Sequence, residues 1–137
     1  MCGIVAIYNN QIKFDKDMRS KSLSMAKKVR HRGPDWSGIY TSDHAILAHE
    51  RLSIVDVKSG KQPIISNNEE IILAVNGEIY NHKLIRKDSK FSYDYKTESD
   101  CEVIIPLYDK IQNSLLNELS GIFAFFLYDK KNNSFLV

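Results

Sequence analysis

Cysteine is scarce in this chain: Cys2 and Cys101 are the only two among its 137 residues. Two thiols do not make the disulfide framework of a small secreted domain, so the sequence predicts a reducing, cytoplasmic compartment. No apolar run approaches the roughly 20 residues that cross a membrane, and the first residues lack the pattern of a signal peptide. These absences argue against membrane and disulfide-stapled classes, and both thiols are expected to be free.

A large excess of charge of one sign is also lacking. The net charge is +2 with 26% charged residues, which is too balanced to indicate a nucleic-acid partner. The densest basic run, at 27–32, contains no aromatic residue and is predicted to be a solvated helix end. His31, His49 and His82 do not stand at zinc-ligand spacing from the cysteines, so no metal site is predicted. With 43% hydrophobic residues and no low-complexity segment, the chain is typical of one globular domain.

Short apolar segments rich in β-branched and aromatic residues predict strands. They lie at 3–8, 38–40, 45–48, 70–75, 121–128 and 134–137. The strand at 70–75 leads into Asn76-Gly77, a pair that predicts a tight turn. The sequence stops inside the last of these segments, so we expect further strands of the fold to lie beyond it.

Two helices are predicted between the strands, and together the elements indicate an α+β layer fold. The first should present an apolar face and end before Gly33. Its residues at helical spacing are Met18, Met25, Ala26 and Val29. The second should begin at Ser99, with Glu102 as the partner of a capping box and Pro106 as an interruption. Cys101, inside this second helix, is interpreted as core packing.

The position of Cys2 directly after Met1 is the first chemical pattern. Removal of Met1 would leave a thiol and a free α-amine on one residue. An α-amine has a pKa of about 7.7–8.0, so part of it is an uncharged base near neutrality. It can take the thiol proton and later return a proton to a leaving amine. Taken alone, however, the position favours a small buried residue that starts a strand.

Polar residues further along supply what a free amino acid substrate requires. Arg51 stands beside an apolar segment and can hold a carboxylate, and Asn76-Gly77 can hold an oxyanion. Glu78 and Asp100 are carboxylates that can face an ammonium group. Plainer interpretations are a surface ion pair for Arg51, a turn for Asn76-Gly77 and a helix-start charge for Asp100.

Six motifs follow one another along the chain. They are MCGIV at 1–5, RHRGPD at 30–35, HERLSIVD at 49–56, NGEIYNH at 76–82, SDCEVI at 99–104 and SGIFA at 120–124. In this order they resemble the class II glutamine amidotransferases. The combination of the second, third and fourth motifs is similar to that of the glutamine-hydrolysing asparagine synthetase family.

The resemblance implies a role for each matching residue. Cys2 would attack the side-chain amide of glutamine and form a γ-glutamyl thioester. Asn76, through its side chain, and Gly77, through its backbone N–H, would form the oxyanion hole. Residues implied in substrate binding are Arg51 for the α-carboxylate, Glu78 and Asp100 for the α-ammonium, Asn76 and Gly77, and backbone groups of Ile54 and Val55.

The fold implied by the resemblance is an N-terminal nucleophile hydrolase, an αββα four-layer sandwich of which residues 1–137 are the first part, with the C-terminal strands missing. The implied reaction converts L-glutamine and water to glutamate and ammonia without a cofactor. A synthetase domain, expected in cis but absent from this sequence, would use ATP and Mg to pass the ammonia to aspartate, and the resemblance admits a homodimer of the complete enzyme. Two alternatives stay open: a class II amidotransferase with another ammonia acceptor, and a non-catalytic glutamine-binding fragment.

Overall fold

The computed structural model describes residues 2–53 and 59–137, which form two sheets with helices packed against them. The strands are β1 (Gly3–Tyr8), β2 (Trp36–Thr41), β3 (Ala45–Arg51), β4 (Ile64–Ile65), β5 (Ile71–Ile79), β6 (Gly121–Asp129) and β7 (Ser134–Leu136). The helices are α1 (Lys16–Val29), α2 (His82–Lys87) and α3 (Ile104–Ile111), with 3₁₀ segments at Arg30–Arg32, Ser89–Phe91, Asp100–Val103 and Gln112–Asn117. The predicted α+β class is confirmed.

Both sheets are antiparallel throughout. The first has the strand order β1-β3-β2 and the second β4-β5-β6-β7. In the first sheet Gly3 is paired with Glu50, which sets the start of the chain beside the end of β3. In the second sheet β4 pairs only with Ile72 and Leu73, so the remainder of β5 has an open edge on that side.

Side-chain alternation along the strands divides the core into three apolar clusters. Leu47 of β3 packs against Ile72 of β5 in the gap between the two sheets. Ala26 of α1 packs on the opposite face of the first sheet. Leu73 of β5 belongs to a third cluster, with Leu107 of α3, on the opposite face of the second sheet. Successive residues of β5 therefore alternate between the gap and the helical side.

The predicted strands are confirmed, and β4 is an addition that the sequence did not predict. The predicted tight turn at Asn76-Gly77 is wrong. β5 continues through both residues to Ile79, because β6 pairs with it over this whole length, as far as Ile79 opposite Gly121. The pair thus lies in a strand, where an Asn side chain and a Gly backbone are presented by the sheet.

The helix α1 is confirmed, but its apolar face differs from the prediction. Met25 is 46% exposed, whereas Ser22 and Ala26 are buried. Ser22 can be buried because its hydroxyl donates a hydrogen bond of 2.8 Å to the carbonyl of Met18. No helix in the described part of the chain is long and apolar enough to cross a membrane.

The predicted capping box is only half formed. Ser99 accepts a hydrogen bond from the backbone N–H of Cys101, as a cap does, but Glu102 does not return to the Ser99 N–H. Its carboxylate instead accepts from backbone groups further back in the preceding loop. Pro106 is the third residue of α3, close to where the helix changes from 3₁₀ to α geometry, and α3 continues past it to Ile111 without an interruption.

Candidate active site

Strand alternation brings polar residues to one end of the gap between the sheets. In β3, Arg51 stands at even spacing from Leu47, which faces the gap. In β5, Asn76 stands at even spacing from Ile72, which faces the gap from the other side. Cys2 directly precedes β1, the strand that pairs with β3. The fold therefore directs side chains from three separate segments to one place.

A cavity of about 250 Å³ opens at this end of the gap. Its volume lies below the roughly 300–1,000 Å³ of sites for drug-sized ligands, and it suits a ligand the size of an amino acid. Its lining residues are Cys2, Arg51, Leu52, Gln62, Val75, Asn76, Gly77, Glu78, Tyr80, Ser99, Asp100, Cys101 and Ile122. The described candidate residues are thus brought together, while Ile54 and Val55 lie outside the described residues.

Cys2 is held by hydrogen bonds with three other segments of the chain, and its sulfur also has a weak contact with the Leu52 carbonyl at 3.8 Å. Its backbone nitrogen donates to Asn76 Oδ1 at 2.7 Å, and its carbonyl accepts from Arg32 Nε at 3.0 Å. The backbone N–H of Leu52 donates to Cys2 Sγ at 3.4 Å. A donor placed on the sulfur stabilises the negative charge that develops there when the thiol loses its proton.

Asn76 faces Cys2 with its carbonyl oxygen, which leaves its amide nitrogen as a donor. Since the backbone nitrogen of Cys2 donates, the Asn76 atom that meets it must be the acceptor, Oδ1. Asn76 also lines the cavity, so its Nδ2 group is left to donate to another acceptor. One side chain can therefore hold the Cys2 nitrogen and donate to a substrate oxygen.

The backbone of β5 presents the N–H of Gly77 at its open edge. In an antiparallel strand, the N–H groups of alternate residues point to the same side. The N–H of Val75 points away from β6, since Gln62 Oε1 accepts it at 2.6 Å, and that of Ile79 is accepted by Asp100 Oδ2 at 2.7 Å. Gly77 lies between these two residues, so its N–H points to the same edge, along the cavity wall.

Glycine is required at position 77 for two reasons. Its φ of +153° is rarely adopted by residues with a side chain. A Cβ there would also lie 2.2 Å from the carbonyl oxygen of Ile122 on β6. Only glycine therefore allows β5 and β6 to approach each other at the point where the N–H is presented.

Two buried charges of opposite sign lie in the cavity wall. Arg51 is 5% exposed and Asp100 is 6% exposed. Asp100 uses Oδ2 for the Ile79 N–H, whereas its Oδ1 has a weak contact with Cys101 Sγ at 3.7 Å. Glu78 also lines the cavity but is exposed. A guanidinium and a carboxylate in one small cavity are complementary to the two charges of a free amino acid.

The loop that precedes Asp100 is fixed by a buried carboxylate, that of Glu102, and by the partly buried guanidinium of Arg86. The carboxylate of Glu102, which is fully buried, accepts the backbone N–H and the hydroxyl of Thr97. Arg86 donates to the carbonyls of Thr97 and Ser99, at 2.9 and 2.7 Å. These bonds hold both ends of the loop, so the Asp100 carboxylate is positioned before any ligand arrives.

Cys101 shares the cavity wall with Cys2 but differs from it chemically. It is 4% exposed and belongs to the core cluster, so its interpretation as core packing is confirmed. Burial, and after it the nearby Asp100 carboxylate, raise the pKa of the Cys101 thiol well above its ordinary value. This thiol stays protonated at neutral pH and is a poor nucleophile.

His49 is fully buried between the sheets and uncharged. Its Nε2 bonds the carbonyl of Val75 at 2.8 Å, which requires the proton on Nε2. Burial lowers the pKa of His49 to about 4; the Val75 carbonyl opposes that shift and the charge of Arg51 adds to it. The imidazole is therefore neutral in the folded protein throughout the physiological range.

Replacement of His49 by glutamine is expected to flatten the pH dependence of stability between about pH 4 and pH 6.5. In this window the unfolded chain protonates His49, with an ordinary pKa near 6.5, and the folded chain does not. The unfolded state binds more protons, so the free energy of unfolding of the wild type falls as pH falls, by on the order of 3 kcal/mol for this group. Denaturant unfolding of both proteins at about pH 7 and pH 4.5 measures the difference. If the free energy of unfolding fell equally with pH in the wild type and in His49→Gln, His49 would not be buried in its neutral form.

Three residues in or near the cavity wall were not predicted from the sequence. His49 is the first residue of the motif at 49–56, and the alternation of side chains along β3 could have shown that it faces the gap between the sheets. Leu52 also stands inside the motif at 49–56, whereas Gln62 has no pattern around it that marks a contact with the site. Among residues 2–53 and 59–137, no group of three or more His, Cys, Asp or Glu side chains is placed to hold a metal ion.

The fold and the site together define an α+β protein with a cysteine in a small cavity between two sheets. A family model described as a glutamine amidotransferase domain matches residues 1–137. The chain therefore belongs to the glutamine amidotransferase domain family.

Relatives in three organisms carry related names. The chain is 50% identical to asparagine synthetase B (glutamine-hydrolysing) of Escherichia coli K12, with 100% of the chain and 24% of that protein covered. It is 49% identical to a probable glutamine-hydrolysing asparagine synthetase of Dictyostelium discoideum, with 99% of the chain and 25% of that protein covered. It is 45% identical to glutamine-hydrolysing asparagine synthetase 3 of Arabidopsis thaliana, with 99% and 23% covered. The chain spans about a quarter of the length of these relatives and is homologous to their amidotransferase portion.

Proposed function

We propose that residues 1–137 are part of a glutaminase domain that converts L-glutamine and water to glutamate and ammonia through a thioester on Cys2. The observation that carries the proposal is the hydrogen bond of 2.7 Å between the Cys2 nitrogen and Asn76 Oδ1. It joins the thiol-bearing residue to an amide donor, next to the Gly77 N–H on the open edge of β5. The proposed nucleophile and the proposed oxyanion donors thus line the same cavity.

The substrate is proposed to bind by its two charges. Arg51 would hold the α-carboxylate and Asp100 the α-ammonium, since both are buried in the wall of the cavity with opposite charge. The exposed Glu78 would add a second carboxylate on the ammonium side, and backbone groups of Ile54 and Val55 are proposed to complete the pocket. Fixing both ends of the amino acid group would place the side-chain amide against Cys2.

The chemistry would begin after removal of Met1, when the Cys2 nitrogen is a free amine. The amine takes the thiol proton, and the sulfur attacks the amide carbon of glutamine. Asn76 Nδ2 and the Gly77 N–H donate to the oxygen as it becomes negative. The C–N bond then breaks, and the ammonium of Cys2 returns the proton to ammonia as it leaves. Water, activated by the same amine, attacks the thioester and releases glutamate and the thiol.

The complete fold is proposed to be an N-terminal nucleophile hydrolase with αββα layers. Support comes from the three apolar clusters, one in the gap between the sheets and one on each outer side. We further propose that a synthetase domain in cis uses the ammonia to amidate aspartate, with ATP and Mg. The names of the relatives, which are glutamine-hydrolysing asparagine synthetases, support the use of glutamine-derived ammonia for asparagine synthesis.

Ammonia release from L-glutamine by the chain with Cys2 as its first residue tests the proposed function. The matched comparison substrate is 4-aminobutanamide, which keeps the side-chain amide and the amine but lacks the α-carboxylate. Loss of the charge pair with Arg51 should lower kcat/KM at least about tenfold. The same chain with Met1 retained should be inactive, because its nitrogen is an amide and not a base. Equal activity with and without Met1 would contradict the mechanism.

A further inference from the structure

The backbone of Val75 is held at both of its polar groups by buried side chains from two other segments. Gln62 Oε1 accepts its N–H at 2.6 Å, and His49 Nε2 donates to its carbonyl at 2.8 Å. Gln62 is 6% exposed and His49 is fully buried. Both side chains are therefore committed to the residue that immediately precedes Asn76.

Val75 lies just beyond the point where β4 stops pairing with β5. The edge strand β4 reaches only as far as Leu73, its partner through Ile64. Beyond that residue the edge groups of β5 would be buried without partners, which costs free energy. At Val75, the side chains of Gln62 and His49 bond the backbone N–H and carbonyl that a longer β4 would have bonded. At Gly77, the edge of β5 lines the cavity instead.

The two side chains also connect the two sheets. His49 belongs to β3 of the first sheet, which carries Arg51 and lies next to Cys2. Gln62 is set closely against β2, since a Cβ at Gly38 would lie 1.9 Å from the Gln62 carbonyl oxygen. The position of the Val75–Asn76 peptide is therefore fixed relative to the strands that position Cys2.

We infer that His49 and Gln62 are positioning residues that set the Asn76 and Gly77 donors at the correct distance from Cys2. The carbonyl of Val75 and the N–H of Asn76 belong to one peptide plane, so holding the carbonyl also fixes the orientation of Asn76. Neither His49 nor Gln62 is proposed to bind the substrate. The inference rests on the proposed function for its catalytic meaning, but the geometry it describes can be measured separately.

Four single variants of the full chain with Cys2 as its first residue test the inference. Gln62→Met removes the acceptor for the Val75 N–H, and His49→Leu removes the donor to its carbonyl, with little change of volume in either case. His49→Gln can restore the donor, because the Gln amide nitrogen reaches where Nε2 stood. His44→Leu is the matched control, since His44 Nδ1 bonds the carbonyl of Asn9 at 3.0 Å, away from the cavity.

The kinetic readout is the split between kcat and KM for glutamine. Gln62→Met and His49→Leu should lower kcat about tenfold to a hundredfold, because displaced donors serve the transition state. KM should stay within about threefold, since neither side chain holds the substrate. His49→Gln should recover most of the lost kcat, and His44→Leu should retain the wild-type value. A change in KM alone, or no rescue by glutamine, would overturn the inference.

The backbone amide resonances of Asn76 and Gly77 provide a readout that needs no catalysis. They should shift in Gln62→Met and in His49→Leu and stay in place in His44→Leu, and either of the first two variants suffices if the other does not fold. Unmoved resonances in a folded variant would overturn the inference, whatever the activity. Absence of ammonia release by the wild type would count against the proposed function alone.

Discussion

Cys2→Ala is expected to abolish glutamine-dependent ammonia release, with a loss of at least about 10³-fold in kcat. Without the sulfur no thioester forms, and the amine that remains is not placed to replace it. Glutamine binding should persist, because Arg51 and Asp100 are untouched. The rate is measured by ammonia release, and binding by calorimetry with the same protein.

Cys101→Ala is the matched control for this experiment. Cys101 is the other thiol of the same cavity wall, and burial keeps it protonated. Its replacement should leave kcat within about threefold of the wild type, since a buried thiol with a raised pKa is not a nucleophile. A loss in Cys101→Ala as large as that in Cys2→Ala would contradict the assignment of the nucleophile.

Asn76→Ala is expected to lower kcat by about 10²–10³-fold with a small change in KM, as for other oxyanion donors. Asn76→Asp separates the two functions of the side chain. It keeps an oxygen toward the Cys2 nitrogen, but it loses the Nδ2 donor and places negative charge beside the oxyanion. Its kcat should therefore be as low as that of Asn76→Ala or lower.

Asn81→Ala controls for the general loss of an asparagine. Both ends of the Asn81 amide are bonded outside the cavity, to the carbonyl of Glu118 and the N–H of Ser120. Its replacement should lower the thermal stability and leave kcat within about threefold. If Asn76→Ala raised KM and spared kcat, Asn76 would be a ground-state binding residue instead.

Six of the seven strands in the described residues could be predicted from sequence, because each has a local apolar pattern; the two-residue strand β4 was not predicted. The cavity could not be predicted from local patterns. Cys2, Arg51 and Asn76 come together only through the pairing of β1 with β3 and the packing of the two sheets. The motifs pointed to these residues by resemblance, and alternation in β3 and β5 accounts for the face on which they lie.

The errors have physical reasons as well. Asn76-Gly77 favours a turn locally, but pairing with β6 along the whole of β5 outweighs that preference. Glu102 has the spacing of a capping box, but the backbone N–H groups of Lys96 and Thr97 in the preceding loop compete for its carboxylate. Gln62 could not be predicted, because its contact with Val75 depends on where the edge strand β4 ends.

Mass spectrometry of the chain, quenched with acid during turnover, is a direct test for the proposed γ-glutamyl thioester on Cys2. The protein, with Cys2 as its first residue, is mixed with glutamine, quenched and digested. The proposed mechanism predicts one γ-glutamyl group on the peptide that contains Cys2, removable by hydroxylamine, and none on the peptide that contains Cys101. Sustained ammonia release with an unmodified Cys2 peptide, or with the group on another residue, would contradict it.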